Sequence, residues 1–188
     1  RITFGANFKA AVTLANKLRD EFGVKKGDRV AVVMRNYPQW PVSFFAPLLI
    51  GAIATPLNSW WTGEELEYGL ADSGAKVAIV DPEKLERIRE HLPKLTQLKT
   101  IIVARGGEDE GNPTIVSMEK LIGPAKSWAS LPDVAAPVAD RELPLRVVPC
   151  DGNARAGALL VVVVVVLVLV ERERAVRGGL AQLDPELL

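Results

Sequence analysis

The chain has 188 residues, with 23 basic and 23 acidic side chains and a formal net charge of zero. That length suits one domain with a real core plus an appendage rather than two large domains, and the balanced charge argues against a surface built to gather nucleic acid. A single cysteine, Cys150, excludes an internal disulfide and fits a reducing compartment; with a single histidine, His91, it falls short of the three or four ligands of a zinc site.

The chain opens at Arg1 with no methionine and no basic-then-apolar leader, so no secretory signal is visible, the true N-terminus is left open, and the expected compartment is the cytoplasm. Thr3 is an N-cap residue by type, and Phe8, Ala11, Val12, Ala15, Leu18 and Phe22 follow it at three- and four-residue spacing. This predicts a first helix with a buried stripe. "GVKKGDRVAVVM" reads as a turn at Lys25 to Asp28 and a strand from Arg29 to Met34 whose continuous apolar character suits cover on both faces. Pro38 marks a second helix start, with Trp40, Phe44, Phe45, Leu48 and Leu49 expected on its inner face, Pro41 expected to cost a hydrogen bond, and Gly51 closing it. "AIATPL" is a short strand ended by Pro56.

Thr62, Gly63, Glu64 and Glu65 spell a capping box, so a third helix is predicted from Gly63 through Leu66 and Leu70 to Gly74. "KVAIVD" returns as a strand from Lys76 to Val80. Asp81 and Pro82 supply a cap and first position for a fourth helix with Leu85, Ile88 and Leu92 inward, followed by the strand "KTIIVA". Arg105 to Pro113 reads as a solvated acidic loop, its carboxylates Glu108, Asp109 and Glu110 too close in sequence to converge on one metal ion. Ser117 then caps a short helix through Leu121 and Ile122. Trp60 and Trp61 beside Asn58 are read as anchors of the proline turn rather than a stacking patch, and His91 as a surface or C-cap residue rather than a general base. The alternation predicts an α/β fold with a mostly parallel, layered sheet.

Composition breaks sharply near Val138: every lysine, serine, threonine, isoleucine, methionine and aromatic residue, and His91, lies at or before it. The expected organisation is a domain over residues 1–138 and an atypical tail over 139–188. No G-x-G-x-x-G or Walker-type lysine loop occurs. Four phrases in order, "TFGANFKAAVTLANKL", "GVKKGDRVAVVMRNYPQW", "LLIGAIATPLN" and "WTGEELEYGLADSGAKVAIVD", closely resemble the N-terminal subdomain of the AMP-forming acyl-CoA synthetases, within the adenylate-forming ligases. One departure is Ala6-Asn7, where the family commonly has Glu-Leu, which removes the reach-back half of a capping box at the first helix.

The resemblance implies that an intact enzyme uses ATP, magnesium and coenzyme A. It joins a carboxylic acid, fatty or aryl, to AMP with release of pyrophosphate, and then passes the acyl group to the thiol. It also implies that the chemistry lies mostly downstream, beginning with a Ser/Thr/Gly-rich phosphate loop due shortly after Val138. "ADRELPLRVVPCDGNARAG" stands there instead, with Gly152, Arg155 and Gly157 as candidates of low specificity for holding a cofactor, and no catalytic or metal-binding residue assigned. The chain is therefore expected to be an inactive fragment that binds none of these cofactors tightly and self-associates or aggregates through uncovered apolar surface. The tail is read as the product of a reading-frame shift or a faulty gene end.

The alternative is a non-catalytic membrane-associated or partner-binding module using "GALLVVVVVVLVLVERER" from Gly157. A membrane is disfavoured, because Ala156 to Val170 offers about 15 residues, or roughly 22 Å of helix against a hydrocarbon core of about 30 Å. A third reading, a working enzyme with a divergent phosphate loop over Gly152 to Gly157, requires ATP binding that the apparent lack of an acid pocket argues against.

Overall fold

The alternation of helix and strand read from the sequence closes into one parallel sheet. A computed structural model describes residues 2–106 and 112–137. Helices α1 (Phe4–Asp20), α2 (Gln39–Leu49), α3 (Gly63–Ser73), α4 (Pro82–Ile88) and α5 (Met118–Ile122) alternate with strands β1 (Arg29–Val33), β2 (Ile53–Pro56), β3 (Val77–Val80), β4 (Thr100–Val103) and β5 (Ile115–Ser117). The strands lie in the order β2-β1-β3-β4-β5, every neighbouring pair parallel.

Because strand side chains alternate, the three central strands β1, β3 and β4 each feed two cores. Val30, Val32, Val77, Ile79 and Ile102 pack with Ala10, Leu14, Ala15 and Leu18 of α1, Val42 and Ala46 of α2, Met118 and Ile122 of α5, and Trp128. Ala31, Val33, Ala78, Val80, Ile101 and Val103 pack on the other face with Leu66 and Leu70 of α3 and Leu85 and Ile88 of α4. Cover on both faces explains why β1 and β3 read as unbroken apolar runs.

Local signals account for most boundaries. The Thr62 hydroxyl accepts from Glu65 N while Thr62 N donates to the Glu65 carboxylate at 2.7 Å, completing the capping box, and α3 ends at Gly74 in the left-handed region. Asp81 caps α4 by accepting from Lys84 N at 3.0 Å, and Asp28 closes the turn before β1 by accepting from Lys25 N. Thr3 caps α1 alone, accepting from Ala6 N at 3.2 Å.

Several expectations change. The buried side of α2 is Gln39, Val42, Ser43, Ala46 and Pro47; Trp40, Phe45 and Leu49 are half-buried and pack against the edge of the same core, and Phe44 and Leu48 are half-buried as well. The helix is apolar nearly all round, so bulk does not mark its inner face, and the small side chains admit close approach to the alanine-rich face of α1. Pro41 is the third helical residue, where an N–H has no intrahelical acceptor; the proline that removes a bond is Pro47, further along. In α1, Ala10 and Leu14 are fully buried while Phe8 is half-buried, and Phe22, predicted on the helix stripe, falls beyond the end of the helix and is half-buried.

β1 and β3 are each one residue shorter than predicted, and Leu92 falls in a 3-10 helix, Arg89–Lys94, rather than in α4. Strand β5 and the 3-10 helix Ala125–Ser130 were not foreseen. Ser117 stands at the N-cap position of α5 without capping it, because its hydroxyl donates to Gly106 O at 3.0 Å. Among the described residues no helix is long and apolar enough to cross a membrane. The carboxylates Glu108 to Glu110, the candidates Gly152, Arg155 and Gly157, Cys150 and the valine run all lie outside the described residues.

Candidate functional site

In an open parallel sheet the loops leaving two adjacent strands diverge where the strand order reverses, and ligands bind outside the carboxyl ends at that point. Here the order reverses between β1 and β3. The segments that leave them are "MRNYP", from Met34 to Pro38, and "DPEK", from Asp81 to Lys84. They are joined directly: the Asp81 carboxylate, 1% exposed, accepts from Arg35 N at 3.1 Å while its other oxygen caps α4.

Around that joint the polar side chains are mostly cationic. Glu83 is held by Arg35 Nη2 at 3.2 Å, Arg87 Nη2 at 2.6 Å and Lys84 Nζ at 3.2 Å. Lys84 is fully buried; its ammonium pairs with Glu83 at 3.2 Å and lies 3.8 Å from Asp81, without a well-aligned hydrogen bond to either carboxylate. Arg35 Nε is likewise buried and without an acceptor. The Lys84 ammonium first, then Arg35 and Arg87, hold the Glu83 carboxyl below its ordinary value against an opposing effect of burial. Three cations therefore share one half-exposed carboxylate, with Asp81 beneath them.

Two aromatic rings flank the joint. The Arg35 guanidinium lies 4.7 Å from the Trp60 ring centre, and Arg105 lies 4.2 Å from that of Tyr37. Arg105 follows β4 in the left-handed region, φ 62°, a conformation that costs a residue with a Cβ; its N–H donates to Glu119 at 2.9 Å. The two tryptophans part company. Trp61 is the anchor, packed so tightly on Gly69 that a Cβ there would meet its ring at 2.7 Å, while Trp60 is 71% exposed. The Trp60 backbone is nonetheless fixed, because its N–H donates to Asn58 and Arg87 Nη1 donates to Trp61 O at 2.7 Å.

His91 belongs to a different constellation. Its side chain, 18% exposed, bonds Glu67 through Nδ1, and Lys94 donates to the same carboxylate oxygen at 2.9 Å, so His91 fastens the 3-10 helix to α3. Lys94 and His91 hold the Glu67 carboxyl below its ordinary value. Among the described residues no three His, Cys, Asp or Glu side chains converge to hold a metal.

Arg35, Tyr37, Glu83, Lys84 and Arg105 were not singled out from the sequence. Their signal is positional, since each follows a strand within a few residues, and it becomes readable once the strand order is known. An open, doubly wound parallel α/β domain with a polar carboxyl edge is the class that the fold and this site define. Within that class, a sequence model of the AMP-binding enzyme family matches residues 1–141, and the chain belongs to that family.

The chain is 36% identical over 107 residues to a long-chain-fatty-acid–CoA ligase of Yersinia pestis, covering 57% of this chain and 19% of that protein. It is 40% identical over 87 residues to a feruloyl-CoA synthase of an Amycolatopsis species, covering 46% and 18% of the two chains. Among solved structures it is similar to an anthranilate CoA ligase in complex with anthranoyl-AMP, at 32% identity and a TM-score of 0.54, over 62% of this chain and 21% of that one. A coronafacic acid ligase from Pectobacterium brasiliense, at 22% identity and a TM-score of 0.57 over 63% and 23% of the chains, shares the fold. The chain spans about a fifth of the length of the curated relatives it matches, 19% for the first of them.

Proposed function

We propose that this chain supplies the amino-terminal part of an AMP-forming acyl-CoA ligase acting on a fatty or aryl carboxylic acid. The observation that carries the reading is the family match over residues 1–141 together with similarity to ligases named for long-chain fatty, ferulic and anthranilic acids. In the reaction the substrate carboxylate attacks the α-phosphorus of ATP, pyrophosphate leaves, and the coenzyme A thiol then displaces AMP from the acyl-adenylate. Magnesium would offset phosphate charge during the first step. The described residues offer arginine and lysine donors suited to phosphate but no cluster of carboxylates suited to that ion, so no magnesium ligand is assigned to them.

The role assigned to residues 2–137 is scaffolding. They hold a parallel sheet whose carboxyl edge faces the nucleotide chemistry, and the chain by itself carries out neither half-reaction. Residues 139–188 are assigned to an atypical tail that is not native to the family fold. The test is a chimera in which residues 2–137 replace the matching segment of a long-chain-fatty-acid–CoA ligase, assayed by carboxylate-dependent exchange of pyrophosphate into ATP. Exchange by the chimera and none by the chain alone is the expected result. A folded chimera without exchange overturns the ligase reading, and exchange by the chain alone overturns its inactivity.

A further inference from the structure

We propose that the Glu83 side chain is the resident occupant of an anion site built from Arg35, Lys84 and Arg87, and that a phosphate group displaces it. The inference rests on the carboxyl-edge geometry and not on the ligase reading. Three cations converge on one carboxylate: Arg35 at 3.2 Å, Lys84 at 3.2 Å and Arg87 at 2.6 Å. A carboxylate brings two oxygens and one charge, too few to use these donors: the fully buried Lys84 ammonium has no well-aligned hydrogen bond, and the buried Arg35 Nε has no acceptor. Unused buried donors cost free energy, so the arrangement gains from an anion with more oxygens and more charge.

Phosphate fits that deficit. It carries three or four acceptor oxygens, and guanidinium and ammonium donors are the groups that bind it best. The route in is open, because Glu83 is 42% exposed and follows Pro82 at the start of α4, where a rotation of its own side chain carries the carboxylate into solvent. Arg87 stays in place without Glu83, since its other nitrogen is held by the carbonyl oxygens of Trp61 at 2.7 Å and Trp60 at 3.4 Å. The exposed Trp60 ring beside Arg35 borders the site and offers a stacking face to a phosphate carried on a base or other planar group. Glu83 thus acts as a built-in competitor that screens the cluster until a more highly charged group arrives.

The experiment is calorimetric titration of the full chain with inorganic pyrophosphate at fixed ionic strength, comparing wild type with Glu83→Gln and with the double variant Glu83→Gln/Arg87→Gln. Removing the competing charge is expected to tighten binding about tenfold or more, and removal of Arg87 to reverse the gain. Equal or weaker binding by Glu83→Gln, or a gain that survives loss of Arg87, overturns the proposal. Should Glu83→Gln lose its fold by circular dichroism, Glu83→Asp, which keeps the charge but withdraws the oxygens, carries the same comparison with a smaller gain expected. A parallel titration with ADP separates free from esterified phosphate: tighter binding of ADP that Trp60→Ala abolishes marks an esterified ligand, and parity marks a free one.

Discussion

The sheet interior and its carboxyl edge, a few residues apart along the same strands, are built on opposite terms. Within β1 and β3, Val30 to Val33 and Val77 to Val80 are at most 1% exposed and apolar on both faces, and each strand has a parallel neighbour on either side. One and four residues beyond β3 the chain carries Asp81 and Lys84, both buried, the latter ion-paired with Glu83 but without a well-aligned hydrogen bond. Buried polar groups with incomplete partners are costly in any fold. Among the described residues, three of the four buried side-chain atoms without a hydrogen-bond partner, Arg35 Nε, Gln39 Oε1 and Lys84 Nζ, lie just beyond the carboxyl ends of β1 and β3; the fourth, Asn7 Oδ1, lies in α1, and none lies in a strand.

That contrast is open to test by mutation. The largest effect belongs to the interior: Trp128 is fully buried and its indole N–H donates to Gly123 O at 3.0 Å, so Trp128→Ala should cost about 3–5 kcal/mol in urea unfolding. A loss below about 1 kcal/mol would mean that the 3-10 helix Ala125–Ser130 is not part of the cooperative core. Next comes the joint itself. Asp81→Ala removes a helix cap and orphans Arg35 N–H, and a cost on the order of 2–4 kcal/mol is expected from the two together, with faster amide exchange at Arg35; an unchanged Arg35 exchange rate would sever the link between the β1 and β3 loops. Thr62→Ala, which breaks the capping box of α3, should cost about 1 kcal/mol while leaving the carboxyl edge untouched.

The smallest effect is at the amino end of the sheet. Burial pushes the Asp28 carboxyl up, but Lys76 at 2.7 Å and the Lys25 N–H together hold it below its ordinary value. A carboxyl depressed in the folded state contributes stability above its unfolded value, about 4, and loses it as the pH falls through the folded value. Asp28→Asn should therefore be less stable than wild type at pH 7 by under about 1 kcal/mol, since Lys76 is half-exposed. The gap between the two should close as the pH drops below about 4, and a gap independent of pH would remove the Asp28 charge from the account.

Legibility in the sequence follows the same division. Elements announced by short-range chemistry, such as Thr62 with Glu65 or Asp81 with Pro82, could be read residue by residue because cap and partner lie within one turn. The inner face of α2 could be read only in part, because Phe44 and Leu48 outweigh Val42 and Ala46 in apolar bulk, and the choice between faces is made by the alanine-rich face of α1, which is distant in sequence. Strand β5 has only three residues, too few for a period to show. The carboxyl-edge cluster was invisible for a further reason: Arg35, Lys84 and Trp60 become neighbours only through the order β2-β1-β3, and no local pattern encodes that order.

The most direct measurement of where ligand chemistry sits is amide hydrogen exchange of Glu83→Gln with and without saturating pyrophosphate. Protection should rise in residues 34–37, 59–62 and 81–88 and stay unchanged through α1 and the amino ends of the strands. Protection gained along α1 or at the amino ends, with none at the joint between Arg35 and Asp81, would contradict the placement of the site at the carboxyl edge.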